Sequence, residues 1–257
     1  MRRFWPLILA LVLGTCETCS AQNNPAFKWG KPGGEGTLLF NRYYVVLHSD
    51  AYKVPLWSAY RLTPHDLKGG KASRQDNFRP DPALPKGKRA ELKDYLNSGY
   101  DKGHMSPAGD FTRNALAMSE TFLLSNMCPQ RPMLNEQIWR ILEAQVRELA
   151  TTDTIWVVTG PLFLDWEGYP AKPGFYIGPD SVAVPTAFYK VILDSHAGHR
   201  VLAGFIMENR KELLPGTPVR YQVRVDSIEA DAGFKFFNQL PERDKLVTGL
   251  PFWPLQR

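Results

Sequence analysis

Tyr100-Asp101-Lys102-Gly103-His104-Met105-Ser106-Pro107-Ala108-Gly109-Asp110 is the stretch from which the rest of the chain can be read. It sets one histidine among small and flexible residues. Gly103 and the run Ser106-Pro107-Ala108-Gly109 leave little side-chain bulk around His104, so a large substrate has room to approach. A lone histidine is more often structural than catalytic, and its weight depends on its company. That company lies downstream, where Leu134-Asn135-Glu136-Gln137-Ile138-Trp139 opens the strongest helical pattern in the chain.

Within residues 135–150, Ile138, Ile141, Leu142, Val146 and Leu149 recur at the three- and four-residue spacing of a buried helix face. Asn135 stands where asparagine is a favoured cap. Asn135, Trp139, Glu143 and Arg147 are spaced by four and predict a row beside the apolar stripe. An amide oxygen, a carboxylate and a guanidinium in one row suit a hydrated divalent cation and a phosphate. The amide oxygen is a hard ligand for Mg²⁺, the carboxylate can hold its waters, and the guanidinium pairs with phosphate oxygens. The same residues also fit a plain helix cap and an i,i+4 surface pair of little energetic weight.

The remaining pattern predicts a mixed α+β chain. Strands are expected at 43–47 and 56–62 as a hairpin, and at 121–127, 154–159, 187–193, 201–207 and 221–225. A short helix is expected over 114–120, and 226–237 is mixed. Residues 64–93, rich in Pro and Gly, read as a long irregular loop, the kind that is usually functional or disordered. With no internal repeat and no break in composition, residues 37–257 read as one domain behind a flexible lead-in at 22–36.

The first 21 residues read as a secretory signal peptide. Arg2 and Arg3 precede an apolar run from Phe4 to Gly14, and Ser20-Ala21 offers a cleavage site, so a secreted or periplasmic address is expected. Leu13-Gly14-Thr15-Cys16 raises a lipid-anchored alternative, but threonine before the cysteine fits it poorly. The apolar run is too short to span a bilayer, and no stable membrane span is expected elsewhere. Three cysteines give neither a disulfide scaffold nor zinc-ligand spacing, and Cys128 reads as a buried small hydrophobe.

The chain carries 31 basic and 26 acidic residues, a net charge of +5. The placement of that surplus is informative. Between Lys68 and Lys93 stand eight lysines and arginines, Arg74 among them, against three acids, which equals the whole surplus. A concentrated basic segment is an electrostatic footprint for a polyanion.

Asp101-Lys102-Gly103-His104 resembles the Asp-Arg-Gly-His signature of the DNA/RNA non-specific endonucleases, a family of ββα-metal nucleases. The likeness continues through Gly109, through Phe122-Leu123-Leu124-Ser125-Asn126-Met127-Cys128-Pro129-Gln130, and into Leu134–Trp139 with Leu142-Glu143. Pro55–Tyr60, Val184–Val191 and Ile228-Glu229 with Phe236-Phe237 resemble further blocks in the family's order, so roughly residues 40–240 are covered.

The resemblance implies a central antiparallel sheet carrying a strand–loop–helix metal module. It implies His104 as general base, Asn135 as the one direct protein ligand of Mg²⁺ (Mn²⁺ being an alternative), and Glu143 acting on the metal's waters. Arg147 and, through a looser match, Arg74 would contact phosphate. Lys102 stands where the signature has arginine, which keeps the charge and loses the planar fork. Asn126 is expected to support the His104 loop and is grouped with Arg74 and Lys102 at the substrate. DNA and RNA are the expected substrates, and a homodimer is compatible with the sequence but not readable from it. The rival from another class is a catalytically degenerate polyanion-binding protein, which would need only the basic residues. His104, Asn135 and Glu143 together argue against it.

Overall fold

The computed structural model describes residues 24–69, 72–196, 199–212, 216–251 and 253. The expected signal peptide and Cys16 lie outside them. The first half contains β1 (Thr37–Phe40), β2 (Tyr44–Ser49), β3 (Val54–Leu62), α1 (Pro64–Leu67), α2 (Leu92–Tyr95), β4 (Asp101–His104), α3 (Ala115–Glu120) and β5 (Met127–Gln130). It continues with α4 (Arg140–Leu149), β6 (Thr154–Leu162), β7 (Tyr176–Ile177), β8 (Val182–Ala183), β9 (Ala187–His196), β10 (His199–Glu208), β11 (Gln222–Val223), α5 (Val225–Ala232) and α6 (Arg243–Val247).

Seven strands form one antiparallel sheet in the order β1-β2-β3-β6-β9-β10-β11, and β4 and β5 form a separate two-stranded ribbon. This is the expected mixed fold with a central antiparallel sheet. Its central strands read as continuous apolar runs because both faces are covered. One face packs Val46, Val157, Phe188 and Ile192 against Leu142, Val146 and Leu149 of α4. The other packs Trp57, Trp156, Val158 and Val191 against Phe27, Ile228 and Phe236.

Alternation along β9 places Lys190 on the same face as Phe188 and Ile192, toward α4. The register sets Thr159 opposite both Ser58 and Lys190. Three fully buried polar side chains therefore cross three strands in a row beneath the helix. Lys190 Nζ donates to Thr159 Oγ1 at 2.8 Å, and Ser58 Oγ and Ser106 Oγ share a hydrogen bond of 2.7 Å.

Several expectations need correction. Residues 24–36 do not trail as a lead-in. Pro25–Phe27 forms a 3₁₀ turn with Ala26 and Phe27 buried. Trp156 Nε1 donates to Pro25 O at 3.0 Å and Trp57 Nε1 to Gly33 O at 2.8 Å. Buried indole N–H groups need acceptors, and this segment supplies them.

The strand expected over 121–127 is displaced. Leu124–Asn126 is a 3₁₀ turn and the strand is Met127–Gln130, with Pro129 opposite Lys102. A two-stranded ribbon leaves each strand a free edge, so the missing N–H of Pro129 is tolerated. Ile141 is exposed rather than part of the buried stripe, and only Gln222–Val223 of the 221–225 segment is strand.

The long helix also begins differently. Leu134–Trp139 is a π-turn, and the Asn135 amide N–H donates to Arg131 O at 2.9 Å, so Asn135 lies inside the first turn and is not its cap. One π-turn inserts about one residue, or ~100° of phase, into an α-helix. The four-residue row is broken as a result. Trp139 turns inward, 1% exposed and 6.0 Å from the Phe188 ring.

Candidate active site

A cleft of about 600 Å³ opens between the β4–β5 ribbon, its following loop and the π-turn–α4 segment. Arg74, Lys102, His104, Asn135, Glu143 and Arg147 all line it, so six of the seven site residues read from the sequence come together. The seventh, Asn126, does not face it.

Asn126 is fully buried. Its Oδ1 accepts from Ser106 N at 2.9 Å, and its Nδ2 donates to Ser106 O at 2.9 Å and Thr121 O at 3.0 Å. Its backbone oxygen accepts from Met105 N at 2.9 Å. The grouping of Asn126 with substrate contacts is therefore corrected: its amide closes the loop after His104 as a second strand would. Gly103 fixes the ribbon just before the histidine, since a Cβ there would lie 2.6 Å from Cβ of Gln130.

His104 ends β4 and is 9% exposed. Its ring meets Phe122 edge-on at 5.1 Å and Phe78 at 5.7 Å. Burial, aided by the nearby Arg74 guanidinium, pulls its pKa down to about 3, because a desolvated imidazole resists protonation. Nε2 is buried with no hydrogen-bond partner. The aromatic pair holds the ring in place. The imidazole is neutral at pH 7 and free to accept a proton.

Asn135 Nδ2 donates to Asp101 Oδ2 at 2.9 Å. With its NH₂ end turned to that carboxylate, the amide presents its oxygen as the remaining donor. Among the described residues no group of three or more His, Cys, Asp or Glu side chains could hold a metal. A single amide oxygen with carboxylates beside it suits a hard cation that keeps most of its water, as Mg²⁺ does, and the residues present fit such an ion.

Glu143 and Arg147 stand one turn apart on α4. Arg147 donates to Asp110 Oδ1 at 2.8 Å, and Tyr60 Oη donates to Asp110 Oδ2 at 2.7 Å. The guanidinium lies over Gly109, where an added Cβ would come within 3.1 Å of it. One N–H of Arg147 is thus anchored, and the others remain for a ligand. Burial raises the pKa of Glu143, and the buried Lys190 ammonium opposes that rise. Burial in turn lowers the pKa of Lys190, whose Nζ sits 4.7 Å from the Trp139 ring centroid.

The basic segment mostly ties itself down. Arg79 donates to the carbonyls of Asn77 and Ser119, and Arg89 to those of Asp81 and Leu84. Lys88 and Lys93 pair with Asp50 and Asp180. Arg74 is the member that reaches the cleft, held by Asp76 at 2.7 Å and lying 5.1 Å from the Phe122 ring. Lys102 Nζ sits 4.8 Å from the Phe78 ring.

Sequence reasoning gave no role to Asp101, Asp110, Arg140 or Lys190. Asp101 and Asp110 were quoted inside the opening stretch, but their partners lie 34 and 37 residues away. Arg140 enters the cleft because of the π-turn. Lys190 did carry a signal, as a lone charge inside an apolar strand.

The chain belongs to the DNA/RNA non-specific endonuclease family, whose model matches residues 22–243. Among curated relatives it is 35% identical to the mitochondrial nuclease EXOG of Danio rerio over 234 residues, 88% of this chain and 68% of that protein. It is 34% identical to nuclease C1 of Cunninghamella echinulata, over 86% of this chain and 90% of that one. It is also 34% identical to human mitochondrial endonuclease G, over 81% and 72%. In three dimensions it matches a chain in the crystal structure of the EndoG/EndoGI complex with a TM-score of 0.79 and 34% identity, covering 87% of this chain and 94% of that one. The chain is accordingly a nuclease of that family.

Proposed function

We propose that the protein is an exported, divalent-metal-dependent endonuclease that hydrolyses phosphodiester bonds of DNA and RNA with little sequence specificity, leaving 5′-phosphate and 3′-hydroxyl ends. The observation that carries this reading is the pairing, in one cleft, of a neutral buried imidazole with an amide oxygen oriented by a carboxylate. His104 accepts the proton of the attacking water. Asn135, turned by Asp101, would hold the metal through its amide oxygen, and Glu143 would accept hydrogen bonds from its hydration shell. Arg147 and Arg74 hold the phosphate, with Lys102 as a point charge beside them. A bound Mg²⁺, or Mn²⁺ in its place, would neutralise phosphoryl charge and ease departure of the 3′-oxygen. Every contact in this scheme is to the backbone, so recognition of base identity is not expected.

The test is cleavage of plasmid DNA and of RNA by the chain from residue 22 onward, with Mg²⁺ or EDTA, beside His104→Ala and Asn135→Ala. Metal-dependent cutting is expected in the wild type. His104→Ala should lose about 10²–10⁴-fold in rate while still binding nucleic acid. Salt-sensitive binding without cutting in any divalent metal would favour the polyanion-binding alternative. Export rests on residues 1–21 and is tested by mass spectrometry of the mature protein, where an N terminus at Gln22 is expected and a lipid-modified Cys16 would contradict it.

A further inference from the structure

Beyond Tyr100 the cleft runs on into a second groove of about 630 Å³, and Tyr100 lines both. The far wall comes from the excursion between β6 and β9, residues 163–186. It displays Trp166 at 90% exposure and Phe175 at 56%. So bare a tryptophan is unusual on a globular surface. Its turn is nevertheless well tied. Asp165 Oδ1 accepts from Glu167 N at 3.0 Å and Tyr169 N at 2.8 Å, and Asp165 N donates to Tyr169 O at 2.8 Å. The indole is therefore held out by a closed turn and not left on a loose end.

Phe175 lies 6.4 Å from Tyr100, and the Arg131 guanidinium stacks over the other ring at 4.0 Å. Aromatic faces in sequence, with one arginine beside them, make the platform on which successive unpaired bases stack. The acids of the groove argue against a duplex. Asp165 closes its own turn and Glu208 pairs with Arg210, and with Glu167 they make the rim unfavourable to phosphates, so a strand that enters must turn its bases to the groove and its one backbone to solvent, which a duplex cannot do. Paired bases, moreover, do not offer their faces.

We propose that this groove is a binding extension for the unpaired bases of a single strand whose scissile phosphate lies at His104, with Tyr100 as the step between cleft and groove. The proposal rests on the nuclease reading of the cleft. Its occupant follows from the continuity of the two hollows and from the stacking faces.

The experiment measures binding in EDTA, where no turnover occurs, using a single-stranded oligonucleotide of about twelve nucleotides with 2-aminopurine as a stacking reporter, and a duplex of the same length. Trp166→Ala and Phe175→Ala should each weaken single-strand binding about tenfold, the loss expected for one stacked base, and leave duplex binding unchanged. Quenching of 2-aminopurine on binding should diminish with them. Unchanged single-strand affinity, or equal losses on both substrates, would overturn the groove. Plasmid cleavage by the wild type with Mg²⁺ is scored separately. Cutting together with insensitive variants removes the groove and keeps the nuclease. Absent cutting with Trp166-dependent binding removes the nuclease and keeps a single-strand groove.

Discussion

Two glutamates lie against opposite faces of the same sheet, Glu229 buried and Glu143 half-buried, and their surroundings could hardly differ more. Glu229, on α5, accepts from Phe236 N at 2.9 Å and Lys235 Nζ at 3.1 Å, and also from Arg243. Its charge is satisfied at contact, and it faces no cleft. Glu143, on α4, accepts no hydrogen bond from any described residue, lines the cleft, and has its charge balanced from a distance by Lys190. A carboxylate saturated by its own protein is a structural tie. One left unsaturated in a hollow keeps its lone pairs for something that arrives later.

Exchanging each for its neutral isostere separates the two. Glu143→Gln should reduce cleavage about 10²-fold or more, the scale of a general acid–base or metal-water contact, while the melting temperature stays near that of the wild type. Glu229→Gln should do the reverse. Breaking a buried ion pair costs about 3 kcal/mol, and kcat of the folded fraction should be retained. Thermal melts and single-turnover rates on the same samples decide it. Equal destabilisation by both variants would erase the distinction.

A smaller effect tests how Glu143 is balanced. Lys190 is the cation that opposes the burial of Glu143, so Lys190→Met should let the carboxyl pKa rise further. With the carboxyl near 7, a rise of one unit would cut the ionised fraction at pH 7 from about half to about a tenth, so an activity loss of about fivefold is expected. The loss should be recovered as pH rises. A deficit of the same size at every pH would show that Lys190 acts on packing alone.

His104 gives a third, weaker handle. Its pKa in the folded protein is about 3, whereas an unfolded chain titrates near 6.5. Both states are neutral above 6.5. Below it the unfolded chain takes up a proton that the fold refuses, so stability should fall between pH 6.5 and 3. His104→Asn should flatten that part of the stability curve. The acid limb of kcat/KM, which reports the free enzyme, should follow Glu143 near 7 and not the imidazole. A stability curve left unflattened by the substitution would mean that the ring is hydrated in the folded protein.

The contrast between the two glutamates could not be read from the sequence, although much around it could. The candidate set stood out because His104 falls in one sequence block and Asn135, Glu143 and Arg147 in another with a helical spacing, and the central strands because β6 and β9 are apolar on both faces. What stayed hidden depends on residues far apart in the chain. Tyr60–Asp110–Arg147 joins β3, the loop and α4, and Asp101–Asn135 joins the ribbon to the helix. The π-turn is concealed for another reason: it shifts phase without changing composition, which is why Trp139 was set in the cleft row and Arg140 left out. The charge count of the basic segment says less than it promised, since Arg79, Lys88, Arg89 and Lys93 serve carbonyls and carboxylates of their own surroundings.

Arg74 is the exception in that segment, and it offers the mildest test. It is 55% exposed, so its attraction for a phosphate is screened and the penalty for losing it is small. Arg74→Ala should raise KM a few-fold, alike for all sequences, with the salt dependence of binding shallower by about one counterion. Arg74 also helps to keep the proton off His104. Arg74 holds the Glu143 pKa down as well, so the same variant should move the acid limb of kcat/KM upward, an effect a distant surface cation would not have. A weaker KM with an unmoved limb would place Arg74 on the substrate path but out of electrical reach of Glu143. A lower kcat at the pH optimum would instead make it part of the chemistry.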